Sequence, residues 1–184
     1  MSCCKLNSPR LRLRAPQTAD ARSIVPMIGD FEIAKNLSSA PHPYFETDWY
    51  ELLDRVNEGH ARGTDFTFVI TRASDGAVMG MCGVHWRDGG FFEIGYWLGR
   101  PHWGEGFATE AARRISAFAF HDLKVETLVA GYFADNPASG RVLAKLGFAP
   151  DGMRIKDSRA RKAPVECNMM LLPREHFGRR RIAA

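Results

Sequence analysis

The apolar positions of this chain follow two different repeats, and the switches between them mark out its elements. Leu11 and Leu13 alternate with Arg10, Arg12 and Arg14, the period-two pattern of a strand with one wet face. Residues 1–9 before it read as a flexible leader. Pro16 ends this strand, and Thr18 can cap a helix whose apolar face is Ala21, Ile24, Val25 and Ile28; Pro26 predicts a break or kink inside it. Residues 31–45 carry Pro41 and Pro43 and read as an irregular connection. Thr47 then offers a cap for a helix over 49–56, with Trp49, Leu52, Leu53 and Val56 on one side.

Strand patterning returns at 66–71, at 77–86 beyond the Ser74-Asp75-Gly76 turn, and at 92–98 beyond Arg87-Asp88-Gly89-Gly90. The last of these is apolar enough for a strand buried on both faces. A helical repeat over 109–121 (Ala112, Ile115, Ala119) leads to a strand at 127–133. Because that strand is entered through a helical crossover, it should lie parallel to 93–98. After a second helix, strands at 148–153 and 165–172 complete the sheet, with a polar loop over 156–162 between them. The reading is α/β: one domain over 10–177, built on a mixed, mostly antiparallel sheet with helices on both faces, then a basic tail, 178–184.

Chemistry concentrates where the strand at 92–98 passes through Gly99, Pro101, Gly104 and Gly106 into a helix. The first turn of a helix has main-chain N–H groups with no internal partner, and the peptide dipoles add positive charge there. Glycines let a ligand approach that main chain, so the junction suits a phosphate or pyrophosphate. The dinucleotide and P-loop fingerprints are absent: there is no third glycine at the required spacing and no Gly-Lys-Ser/Thr. Further on, Asn136 reads as an N-cap, Pro137 as the first helical residue and Gly147 as a left-handed stop, with Val142, Leu143 and Leu146 as the core stripe.

Taken together, Gly104-x-Gly106-x-Ala108 and Asn136-x-x-Ser139-x-x-Val142-Leu143-x-Lys145-Leu146-Gly147-Phe148 resemble the acyl-CoA-binding core of the GNAT superfamily of N-acetyltransferases. Leu11-Arg12-Leu13-Arg14 and Pro41-x-Pro43-Tyr44 are similar to its ribosomal-protein N-terminal acetyltransferase branch. The resemblance implies a GNAT fold with a splayed parallel strand pair and acetyl-CoA as acyl donor. It implies that main-chain groups of Trp97 and Leu98 bind pantetheine, and that Gly104, Glu105, Gly106, Phe107, Ala108 and Thr109 hold the pyrophosphate. Asn136 and Ser139 would also touch the coenzyme. For catalysis it implies Glu93 as base, the Trp97 N–H as oxyanion donor and Ser139 as acid. His85 is a second candidate base. The position where many members carry an acidic tyrosine is Leu143 here, which departs from the pattern. Arg141 and Lys145 share a helix face that can meet solvent or a phosphate.

Composition adds little that is specific. With 45% apolar and 25% charged residues in 184, this is an ordinary globular chain of one domain. No stretch approaches the ~18 apolar residues of a membrane span, and the N-terminus lacks the apolar run of a signal peptide; a cytoplasmic protein is expected. Cysteines 3, 4, 82 and 167 have no metal-ligand spacing, so no metal is expected, and Cys82 and Cys167 read as small buried apolar residues. A net charge of +4 is mild and gives no reason to expect direct nucleic-acid binding. The acceptor is expected to be an amine on a peptide, protein or small molecule. A peptide α-amine, pKa about 7.7–8.0, is deprotonated at neutral pH for ~1.4 kcal/mol, against ~4.6 kcal/mol for lysine. A small amine (polyamine, amino acid or antibiotic) and a non-catalytic acyl-CoA sensor are the alternatives. Sheet edges and the resemblance allow a homodimer.

Overall fold

The computed structural model describes residues 5–178; the basic run Arg179-Arg180-Arg181 and the Cys3-Cys4 pair lie outside them. One eight-stranded sheet runs in the order β1-β2-β3-β4-β5-β6-β8-β7. Its strands are β1 Leu6–Asn7, β2 Leu11–Arg14, β3 Asp65–Arg72, β4 Val78–Arg87, β5 Phe91–Leu98, β6 Thr127–Phe133, β7 Ala149–Ser158 and β8 Ala163–Pro173. All neighbours are antiparallel except β5 and β6. The helices are α1 Ala21–Ile28, α2 Phe31–Ala34, α3 Glu46–Arg62, α4 Phe107–His121 and α5 Pro137–Leu146.

Alternation along the strands sends side chains to two cores. On one face, Ile94, Leu98, Val84 and Leu128 pack under Ala111, Ile115 and Phe118 of α4 and Leu143 of α5. On the other, Val69 and Met81 pack against Ile24 and Ile28 of α1 and Trp49 of α3. Helices therefore cover both faces, as the mixed sheet requires.

Several local expectations change. The described part of the leader, 5–9, is tied down: Leu6 is buried and pairs with Leu13, Ser8 Oγ donates to Glu110 Oε1 at 2.7 Å, and Arg114 Nε donates to Asn7 O. Helix α1 runs through Pro26 and stops two residues later, at Ile28, so the expected break falls at the helix end and not inside it. A single turn, α2, sits inside the expected irregular connection, capped by Asp30, whose side chain accepts from Glu32 N. Helix α3 starts at Glu46 rather than behind Thr47. Asp48 Oδ2 accepts from Phe45 N at 2.8 Å, and the helix runs to Arg62, where Gly63 ends it at φ 72°. The polar stretch 156–162 is a loop only over 159–162; Lys156 to Ser158 belong to β7, with pairing down to Ser158↔Ala163. Lys156, Asp157 and Ser158 are all polar although Ser158 is buried, so that part of β7 shows no apolar alternation to read.

Candidate active site

The parallel pair β5/β6 is in register only at Phe92↔Leu128 and Glu93↔Val129, although the strands continue to Leu98 and Phe133. Past Glu93 they separate, and a cleft of about 760 Å³ opens between them, floored by Gly95, Tyr96 and Trp97 and by Ala130 to Phe133. Glu93, Gly95 and Trp97 are half-buried because the cleft removes their neighbour, which corrects the expectation of a strand enclosed on both faces.

Antiparallel alternation decides which main-chain groups face this gap. Gly99 N–H donates to Met79 O and Trp86 N–H to Thr64 O. With Met81↔Trp97 in the same register, the odd residues of β5 turn their N–H and C=O toward β4. The N–H of Trp97 is thereby engaged with β4, and the gap is faced by Tyr96 and Leu98. The Trp97 N–H therefore does not face the gap as expected, while its side chain lines the cleft. The Leu98 carbonyl accepts from Trp103 Nε1 at 2.8 Å, which secures the loop that follows.

That loop is a cradle. Gly104 and Gly106 both have φ 81°, a conformation that side chains disfavour, and α4 begins at once with Gly106 as its N-cap. Among the described residues, no main-chain N–H from 104 to 109 donates a hydrogen bond to the protein. The loop is clamped from the residue just before β2: Arg10 Nη1 donates to Glu105 O, Arg10 Nε binds Glu110 Oε2 at 2.7 Å, and the guanidinium stands 4.3 Å over the Phe107 ring. Gly104, Gly106, Phe107, Ala108 and Thr109 line the cleft; Glu105 does not, and serves the clamp through its carbonyl. Unpaired donors at a helix start, with no side chain in front of them, fit a pyrophosphate.

Opposite the cradle, α5 is built as its sequence implies. The Asn136 side chain accepts from Ser139 N at 3.3 Å, Pro137 opens the helix, and Gly147 closes it at φ 98°. Ser139 also meets a partner that carried no motif signal. The hydroxyl of Tyr96, on the core face of β5, lies 3.0 Å from Ser139 Oγ and donates to Ser139 O at 3.1 Å. Burial pushes the Tyr96 phenol up to about 12, against the Ser139 hydrogen bond, so it stays protonated. A phenol thus stands beside Ser139 in the cleft, carried by the strand and not by α5. Arg141 and Lys145 line the same cleft.

On the sheet face toward α3, Glu93 Oε1 binds Lys156 Nζ at 2.6 Å and Oε2 binds Arg87 Nε at 2.7 Å. Burial works to raise its carboxyl, but the two cations outweigh it and hold Glu93 below the ordinary glutamate value. With both oxygens paired, this carboxylate is a weak proton acceptor, which runs against its expected part as base. His85 is its cross-strand neighbour, and His85 Nδ1 lies 2.9 Å from Asp65 Oδ2. Cys82 and Cys167 are buried as expected, and burial raises both thiols. Among the described residues there is no cluster of His, Cys, Asp or Glu able to hold a metal, and no helix long and apolar enough to cross a membrane.

A splayed parallel pair beside a glycine-built helix start defines an acyl-CoA-dependent transferase, and the comparisons agree. Residues 10–149 match the acetyltransferase (GNAT) domain, and the chain belongs to that family: it is a GNAT-type N-acetyltransferase that uses acetyl-CoA. Among its relatives is an uncharacterized N-acetyltransferase, p20, of Bacillus licheniformis, 30% identical over 94% of this chain and 98% of that protein. The [ribosomal protein uS5]-alanine N-acetyltransferase of Escherichia coli is 26% identical over 59% of this chain and 57% of its own. The spermidine N-acetyltransferase of Vibrio cholerae, solved with CoA and spermine, superposes with a TM-score of 0.76 over 92% of this chain and 98% of that one, at 19% identity.

Proposed function

We propose that this enzyme acetylates the α-amine at a peptide or protein N-terminus. What carries the reading is the charge on the acceptor side of the cleft. A site for a polycation needs an excess of carboxylates there, and the opposite is found. The β7–β8 hairpin that walls this side carries Arg154, Lys156, Arg159, Arg161 and Lys162 against Asp151, Asp157 and Glu166. Of the five acidic residues lining the cleft, Glu93 is neutralised by Lys156 and Arg87, Glu32 by Lys35 and Asp135 by Arg161, while Asp48 and Glu51 of α3 share their wall with Arg55. A polyamine would meet carboxylates that are mostly paired and are outnumbered by cations, whereas a peptide needs one amine pocket and an open groove. The relative that acetylates the alanine of a ribosomal protein supports the same choice.

In this reading the cradle at 104–109 holds the pyrophosphate, and pantetheine lies along Tyr96 and Leu98 as an added strand edge would. A gap-facing N–H of one of these two stabilises the oxyanion. Ser139, backed by the Tyr96 phenol, protonates the departing thiolate. Acetyl-CoA supplies the activated acyl carbon.

The test is a panel of Ala- and Ser-initiated peptides, polyamines and aminoglycosides, followed by thiol release from acetyl-CoA. Peptide turnover should exceed that of spermidine by more than tenfold in kcat/KM. Preferential turnover of polyamines would overturn the acceptor assignment.

A further inference from the structure

Resting on the transferase reading above, we infer that His85 is the base that takes the proton of the attacking amine, with Asp65 as the residue that positions it. Both lie on the acceptor face of the sheet, at paired positions of β3 and β4 (Asp65↔His85), and His85 is paired in turn with Glu93 on β5. Asp65 Oδ2 contacts His85 Nδ1 at 2.9 Å, and Asp65 Oδ1 accepts from Thr67 Oγ1 at 2.6 Å, so the carboxylate is held at both ends. An ionised carboxylate only accepts, which puts the hydrogen on Nδ1 and the lone pair on Nε2.

The direction of the ring is set by missing side chains. A Cβ on Gly83 would come within 2.7 Å of His85 Nε2, and one on Gly95 within 4.0 Å. The imidazole therefore occupies the space over these two glycines, with Nε2 above β5, and lines the cleft. Among the described residues, Nε2 has no hydrogen-bond partner. The side chains of His85 and Asp65 are 22% and 27% exposed, enough for an amine or a single water to reach the ring. Glu93, the other candidate, has both oxygens occupied by Lys156 and Arg87.

The acceptor enters as an ammonium and gives one proton to His85 Nε2, which releases it to solvent. The neutral nitrogen bonds to the thioester carbonyl carbon and the carbon–sulfur bond breaks. The second proton leaving nitrogen makes good the one that Ser139 gives to sulfur, so amide, free thiol and one proton are the products.

The experiment compares parent, His85→Ala, His85→Gln and Asp65→Asn on the best acceptor of the peptide panel, with coenzyme A affinity measured for each. His85→Ala and His85→Gln should lose at least a hundredfold in kcat with coenzyme affinity within twofold of the parent. Added imidazole should restore part of the His85→Ala loss, which no packing role would allow. Asp65→Asn should lower kcat at least tenfold with little change in acceptor KM. A His85→Gln enzyme that binds coenzyme and keeps its kcat overturns the assignment alone. A parent that binds coenzyme yet acetylates no amine on the panel overturns the transferase reading and this one with it.

Discussion

Gly106→Ala separates the fold's need for this glycine from the coenzyme's need. At φ 81° an L-residue pays about 1–2 kcal/mol that glycine does not. The protein itself leaves room, since the nearest atom to an added Cβ is Arg10 Nη2 at 3.6 Å. The stability loss should therefore equal the backbone strain alone, a fall of roughly 2–8 °C in Tm for a domain of this size. Coenzyme binding should suffer separately. The methyl would stand in front of donors that otherwise meet phosphate, and losing one charge-assisted hydrogen bond of about 1.5–3 kcal/mol weakens Kd by roughly 10- to 150-fold. Gly63→Ala is the control: φ is 72°, nothing lies within 4 Å of its Cβ, and Gly63 caps α3 away from the cleft. Calorimetric unfolding should give both variants a similar fall in Tm. Titration with coenzyme A should weaken only Gly106→Ala. Parental affinity in Gly106→Ala would refute the cradle.

Other perturbations probe the remaining parts. Ser139→Ala and Tyr96→Phe should each cut kcat by roughly tenfold or more while coenzyme affinity holds, and the double variant should lose little beyond the worse single one, because the two hydroxyls act as a unit; additive losses in steady-state kinetics would contradict this. Arg10→Ala should cost under ~1 kcal/mol of stability, since Arg10 is half-exposed, yet weaken coenzyme A about fivefold by freeing the Glu105 carbonyl and the loop; unchanged titration would remove the clamp. Acid should destabilise the fold through Asp65, Glu93 and Glu110. Burial alone would raise each, but hydrogen bonds and cations hold all of them below their ordinary values. Groups lowered in the folded state contribute stability in full above the unfolded pKa of about 4, and lose it as pH falls through the folded values. Tm should thus fall steeply below about pH 4 in parent protein, and less steeply in Glu110→Gln, as scanning calorimetry across pH would record.

The glycines at 104 and 106, the Asn136 cap with Pro137, the Gly147 stop and the strand–loop–helix order are local devices. Each works through its own backbone geometry, so each is written in a few consecutive residues and was legible there. Cys82 and Cys167 were legible as buried for the same kind of reason. The contacts that turn these parts into a site are long-range. Arg10 reaches Glu110, Lys156 reaches Glu93, and Tyr96 reaches Ser139. No spacing in the chain encodes them.

The register of β3 against β4 marks that boundary most clearly. At the turn the pairing is Thr71↔Val78, and continued unchanged it would put Asp65 opposite Val84 and leave His85 opposite Thr64. A bulge between Ile70 and Thr71 shifts the pairing by one, to Ile70↔Gly80 and hence Asp65↔His85. Gly80 permits it, because a Cβ there would lie 2.1 Å from the Trp97 carbonyl. The sequence by itself determined the cradle, the caps and the order of elements, since those are properties of neighbouring residues. Packing of β4 between β3 and β5 decided which carboxylate meets the imidazole and which main-chain groups face the gap, since a one-residue slip reverses every face and only the assembled sheet selects the slip.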